Sequence, residues 1–172
     1  MLLPEHIEIR EQRHSCDPDE ILVLNRLAFG PAGGTAQFDQ LRRQPGKHLS
    51  LVASNGPELV GHAFFAPVTI DSEGESWPAM GLGELAVHPD WQRRGIGKAL
   101  TRQGISSLTA QGYPCLIVIG LPDYYPLLGF EPGAAHGLHC QWPGVPAASF
   151  MVYVLNARGM RGVTGTARYV DL

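Results

Sequence analysis

Polar and apolar residues alternate through HIEIR (6–10), which predicts a first β-strand. The spacing then changes. In CDPDEILVLNRLAF, Ile21, Leu24 and Ala28 fall on one helical face. Asp17 stands where a cap is needed, Pro18 suits the first helical position, and Glu20 follows the cap by three residues. TAQFDQLRRQ predicts a second, short helix ended by Pro45 and Gly46. HLSLVAS and ELVGHAFFAPVTI read as strands flanking a hairpin signal at Asn55-Gly56. DSEGESWPAM is polar and turn-rich and reads as a loop, and GLGELAV reads as the fourth strand. Gly83 inside that strand predicts a bulge or a close backbone approach. Further on, Ile96, Leu100 and Leu108 share a helical stripe with Gly112 as its C-terminal cap. CLIVIG is a short continuous apolar run, as in a buried strand. PDYYPLLGF predicts a brief helix ending at Gly129, FMVYVL a late strand, and NARGMRGVTGTARYVDL an irregular, glycine-rich tail. This order predicts a mixed α/β sheet flanked by helices, one domain with its core over about 6–155 and a tail over 156–172.

Composition narrows the picture. The chain has 172 residues, 44% hydrophobic and 17% charged, enough for one domain with a sizeable core. A formal net charge of -3 gives no overall polyanion-binding character, so no nucleic-acid partner is expected. Cys16, Cys115 and Cys140 form no CxxC pair and no disulfide framework, which fits reduced thiols in a cytoplasmic protein. No apolar run reaches the roughly 18 residues of a membrane span, and MLLPEHIEIREQ lacks the marks of a signal peptide.

The chemistry concentrates in HPDWQRRGIGKAL (88–100). A phosphate-binding P-loop fails here, because Gln92 stands at its first glycine and Ala99 where the metal-holding hydroxyl belongs. A dinucleotide fingerprint is weak, because Leu100 occupies its third glycine. The pattern Q/R-x-x-G-x-G/A is complete: Gln92, Arg93, Arg94, Gly95, Ile96, Gly97. Backbone N–H groups at a helix start share a direction and lack intrahelical partners, and the helix dipole adds positive charge. A pyrophosphate fits such a cradle if no side chain blocks it, hence the glycines.

With LAVHPDWQRRGIGKAL and YYPLLGF (124–130) both in place, the chain resembles the GNAT superfamily of acetyl-coenzyme A-dependent N-acetyltransferases, in particular its small bacterial branch. The resemblance covers roughly residues 6 to 155 in element order. It implies a twisted mixed sheet and acetyl transfer from acetyl-CoA directly to a primary amine in a ternary complex, with no metal. It also implies that the backbone of Leu85, Ala86 and Val87 pairs with the pantetheine arm. The amides from Arg93 through Arg94, Gly95, Ile96 and Gly97 to Lys98 would hold the pyrophosphate, with Ala99 beside the cofactor. CLIVIG would splay from GELAV to leave a notch for the thioester, and Tyr125 would protonate the departing thiolate. Tyr124, about 100° around the helix, would turn to solvent or core.

The attacking amine must lose a proton, and the family fixes no residue for that. Glu84 is the first candidate: a carboxylate inside an apolar strand is costly unless it faces a cleft or a partner. Alternation sends Glu84 and Leu85 to opposite faces unless a bulge intervenes. His62 and a bound water are the other candidates, whereas His88 reads as structural. HGLHC (136–140) lacks the further ligands of a metal site, and Cys115 reads as core. A small amine, an amino acid and a peptide N-terminus stay open as acceptors, chosen by FGPAGGTAQF, the FFAPVTIDSEGESW hairpin and the segment after Phe130. The reading leaves a homodimer open. Its rivals are a non-catalytic coenzyme A-binding sensor and a nucleotide-binding protein of another fold.

Overall fold

The opening alternation becomes β1 (Ile7–Glu11), with Ile7 buried and Glu8 exposed. A computed structural model describes residues 3–13, 17–30 and 35–169. Cys16, residues 31–34 of the FGPAGGTAQF segment and residues 170–172 of the tail lie outside the described residues. The chain continues with α1 (Asp17–Phe29), α2 (Thr35–Arg43), β2 (Leu49–Asn55), β3 (Glu58–Ser72), β4 (Glu75–Val87), α3 (Ile96–Ala110) and β5 (Cys115–Ile119). It ends with β6 (Glu131–Pro132), β7 (Leu138–Cys140), β8 (Phe150–Val154) and β9 (Gly165–Tyr169). The sheet runs β1-β2-β3-β4-β5-β8-β6. β4 and β5 pair in parallel, and the other neighbours on this path are antiparallel.

Each face of the sheet buries a core. On one, Ala53, Ala63, Phe65, Met80, Leu82, Leu116 and Val118 pack with Ile96, Leu100 and Leu108 of α3. Leu100 and Leu108 are fully buried, each worth roughly 1.5–3 kcal/mol relative to exposure. Gly104 lets α3 settle this low, since a Cβ there would enter the Phe65 ring. On the other face Leu41 of α2 packs with Phe64, Ala66, Val68 and Ile117, and Ile21 of α1 packs with Val52 and Leu59.

Three expectations are corrected. The DSEGESWPAM loop is the tip of a long hairpin: β3 runs to Ser72, β4 starts at Glu75, and Gly74 turns the chain at φ +80°. Its polarity reflects a tip with solvent around it. The tail is not irregular throughout, because β9 pairs with Val68–Asp71 of β3 and with β7. PDYYPLLGF forms the brief helix expected, a 3-10 helix at Tyr125–Leu128 closed by Gly129 at φ 93°. Asp17 is itself the first helical residue. Its carboxylate accepts from the Arg13 N–H at 2.6 Å and pairs with Arg10 at 2.6 Å, pinning α1 to the end of β1.

Gly83 is the bulge. Phe65 pairs with Leu82, but Phe64 pairs with Glu84, so Gly83 is the extra residue on β4. The insertion changes the alternation. Leu82 joins the α3-side core, whereas Glu84 lies beside Phe64 on the α2 side. A Cβ on Gly83 would collide with Leu41 of α2 at 2.6 Å.

Candidate active site

The β4–β5 ladder covers only Met80–Leu82 opposite Leu116–Val118. Beyond it the strands part, and the edge of β4 from Gly83 to Val87 has no strand partner on that side among the described residues. An open strand edge offers N–H and C=O groups to an extended ligand. Leu85 and Val87 turn their side chains to the α3 side, while Glu84 and Ala86 turn to the side of α1 and α2.

The loop after β4 is built to start α3 at this notch. His88 caps a 3-10 turn at Pro89–Trp91, its Nδ1 accepting from the Asp90 N–H at 3.2 Å, which gives it the structural role expected. The Gln92 side chain donates to Val87 O at 3.2 Å and ties the loop to the strand. Arg93 takes φ 59° and Gly95 φ 84°, which turns the chain into the helix. Arg94 stacks over Trp91 at 4.9 Å. The first bond from the loop into the helix is Ala99 N–H to Gly95 O at 2.9 Å. The amides from Arg93 to Lys98 donate to no backbone carbonyl among the described residues. Gly97 sits in the cradle: a Cβ there would lie 3.0 Å from the Tyr124 hydroxyl and 3.6 Å from both Leu85 and Val87.

Tyr124 packs against the core, within the alternatives expected for it, and its hydroxyl also reaches the first turn of α3. Tyr125 is buried beneath it. Its ring meets Tyr124 edge-on at 5.1 Å and Phe130 at 5.4 Å, and it lies where a Cβ on Gly120 would be. Gly120 directly follows β5, so Tyr125 sits on the β5 side of the notch. Burial, and then Tyr124 beside it, push its phenol well above the usual range. Burial also raises Tyr169, whose hydroxyl packs on Gly81 of β4.

On the α2 side Glu84 is 8% exposed, and its Oε2 has no hydrogen-bond partner among the described residues. Burial pushes its carboxyl up to about 8, and the Arg42 guanidinium on α2 only partly opposes this. Arg42 lies 5.4 Å over the Phe64 ring. His62, the other candidate base, is fully buried, bonded to Ser50 at 3.0 Å and pushed down to about 3 by burial and then by Arg42. It is a neutral sheet histidine near pH 7. A pocket of about 250 Å³ opens on the same side, lined by Gln12, Arg42, His48, Ser50 and Phe64 among others. Cys115 is buried core, its thiol pushed up to about 12. In HGLHC, His136 meets the Glu131 carboxylate at 2.6 Å. Among the described residues no helix is long and apolar enough to cross a membrane.

Arg42 and Tyr124 were not singled out as site residues by sequence. Arg42 belongs to a polar helix whose spacing carries no link to position 84. Tyr124 could have been found from the bare surface that Gly97 needs opposite it.

Comparison with known proteins gives a consistent result. Residues 8–133 match the model of the acetyltransferase (GNAT) domain. The chain is 32% identical over 154 residues to the uncharacterized N-acetyltransferase YhbS of Escherichia coli (strain K12), covering 89% of this chain and 90% of that protein. A crystal structure of YhbS from Escherichia coli in complex with CoA superposes with a TM-score of 0.86 at 31% identity, covering 99% of this chain and 94% of that one. A GNAT family acetyltransferase from Brucella melitensis in complex with acetyl-CoA gives 0.73 at 28% identity, covering 98% of each chain.

Proposed function

Because the chain belongs to the GNAT acetyltransferase family, we propose that it moves the acetyl group of acetyl-CoA directly to a primary amine in a ternary complex. The observation that carries this reading is a convergence on one notch. The open β4 edge and the amide cradle of α3 approach it from one face of the sheet. Glu84 approaches it from the other, and Tyr125 stands on its β5 side.

The residues present fit the cofactor. Gly97 leaves the cradle bare between Tyr124, Leu85 and Val87, where a side chain would fill it. The backbone of Leu85, Ala86 and Val87 would hold the pantetheine arm, and the amides from Arg93 to Lys98 the pyrophosphate. Gln92 acts by fixing the loop, and Ala99 keeps the next position small. Tyr124 would add a phenolic donor at the cradle.

Acetyl-CoA supplies the acetyl group, its carbon–sulfur bond breaking as a carbon–nitrogen bond forms to the acceptor. Glu84, as carboxylate, accepts the proton that the amine must lose; a pKa near the working pH suits a general base. Tyr125 keeps its proton at neutral pH because burial disfavours the phenolate, and it supplies that proton to the sulfur. Direct transfer calls for no covalent enzyme intermediate, and Cys115, a buried thiol with its pKa raised, is poorly suited to form one.

Thiol release from acetyl-CoA across a panel of amines tests the reading. Intersecting initial-rate lines are expected when both substrates are varied. Parallel lines, or an acetylated enzyme isolated without acceptor, would overturn direct transfer.

A further inference from the structure

α1 buries Ile21, Leu24 and Asn25 and leaves Asp19, Leu22, Val23 and Arg26 exposed. Steps of three, four and seven residues put these four on one outer stripe of the helix. A surface helix ordinarily keeps that stripe polar. Here Leu22 is 38% and Val23 56% exposed, and Leu27 and Phe29 are exposed on the two flanks. Among the described residues the other large apolar side chains this open to water are Leu121 and Leu127, both outside α1. Four of them on one helix of 13 residues, about 20 Å long, make a patch that calls for a cover. A groove of about 320 Å³ continues it, where Val23, Leu24 and Leu27 face Leu59.

The charges on the stripe say what the cover is. Asp19 and Arg26 are seven residues apart, about 10.5 Å along the helix, too far to pair with each other. Neither makes an ion pair among the described residues. From its N-terminal end the stripe reads acid, apolar, apolar, base. Turned end for end it is its own complement: Asp19 falls opposite Arg26, and Leu22 opposite Val23. A two-fold contact has this requirement, because one patch serves both sides. Antiparallel packing also sets the positive start of each helix dipole beside the negative end of the other. We propose that the chain pairs with a second copy through antiparallel packing of α1 on α1, with the two-fold axis between Leu22 and Val23. Arg26 would meet the partner's Asp19, with the exposed Glu20 next to it in sequence. A basic partner would suit Asp19, Glu20 and Glu58 around the groove, but Arg26 in the middle of the patch would repel it. One helix pair covers less than a standard interface, so the dimer is a weak one, with a Kd of micromolar order.

Sedimentation equilibrium of the full chain, from about 5 µM to about 1 mM, should show a monomer–dimer equilibrium. Val23→Glu sets a charge against the partner's Leu22 and should weaken the dimer at least about tenfold. Asp19→Arg and Arg26→Asp should each do the same, because either one makes both symmetric pairs repulsive. Mixed in equal amounts, those two variants should form a dimer again, since the mixture sets two bases opposite two acids. The double variant Asp19→Arg with Arg26→Asp should dimerise with itself for the same reason. Return of the dimer shows in itself that the variants are folded, and coenzyme A affinity, expected unaltered in each, checks this independently. A chain that stays monomeric over the whole range overturns the proposal. So does a dimer that Val23→Glu and the single charge reversals leave intact. Dissociation by the single reversals that neither the mixture nor the double variant repairs overturns the antiparallel pairing.

Discussion

Replacing Glu84 with Gln should slow the enzyme and stabilise it at alkaline pH. Burial raises the folded-state pKa from 4.5 to about 8. The interval, 8 − 4.5 = 3.5, corresponds to roughly 5 kcal/mol. The sign follows from where the proton sits. Below 4.5 both states are protonated, and this group costs the folded state nothing. Between 4.5 and about 8 the unfolded chain has released the proton and the folded chain has not, so stability falls as pH rises. Above about 8 the deficit is constant. Glu84 should therefore remove roughly 4 kcal/mol of stability between pH 5 and pH 9 in the native enzyme. Gln has the same shape and does not titrate, so urea unfolding of Glu84→Gln should lack that slope. A pH-independent penalty of about 1–3 kcal/mol for burying the amide leaves the slope unaffected. The rate responds on the same scale. At pH 7 only about a tenth of Glu84 is ionised, so kcat/KM should rise about tenfold towards a limb near pH 8. Glu84→Gln should remove that limb and lower kcat by roughly a hundredfold or more. The acceptor's own titration persists in both proteins and cancels in the comparison. An unchanged limb together with an unchanged stability slope would refute both the burial argument and the base.

Tyr125→Phe should lower kcat about ten- to a thousandfold with coenzyme A affinity nearly constant, as for a lost general acid, measured by thiol release and calorimetry. Tyr124→Phe should instead weaken coenzyme A binding by a fewfold, the scale of one neutral hydrogen bond, with a smaller effect on kcat; the reverse pattern makes Tyr124 the acid. Gly97→Val should abolish measurable coenzyme A binding in a folded protein, because the side chain meets Tyr124, Leu85 and Val87 at the cradle. Gly104→Ala should destabilise by about 1–3 kcal/mol in urea unfolding, since its methyl enters the Phe65 ring and outweighs the gain in helix propensity.

The sequence carried the cofactor side of the site more fully than the acceptor side. Gly95 and Gly97 before a striped helix are local signals, and Gly83 marked its bulge because a glycine inside a strand has few other uses. The parting of β4 from β5 was legible only through the family resemblance. What escaped is non-local. β9 hides in a glycine-rich tail because its pairing with Val68–Asp71 depends on a partner nearly a hundred residues upstream. The row Ser50–Phe64–Glu84 exists only once three strands are in register, and Arg42 joins it from a helix with no apolar marker. Tyr124 and Tyr125 are adjacent, and the short 3-10 turn decides which one meets α3.

After Gly83, β4 carries two interleaved vocabularies. Glu84 and Ala86 address the side of α1 and α2, from which the acceptor would arrive in the proposed reading, whereas Leu85 and Val87 address the side of the cradle. A lineage can therefore change its acceptor one alternate residue at a time while the cofactor half of the strand stays untouched. Losing the extra residue would exchange the two sets in a single step, handing Glu84 to the apolar core under α3. A change in the strand's length would thus disturb the site more than a substitution at most positions along it, and new acceptor preferences should arise by substitution here and by insertion or deletion elsewhere.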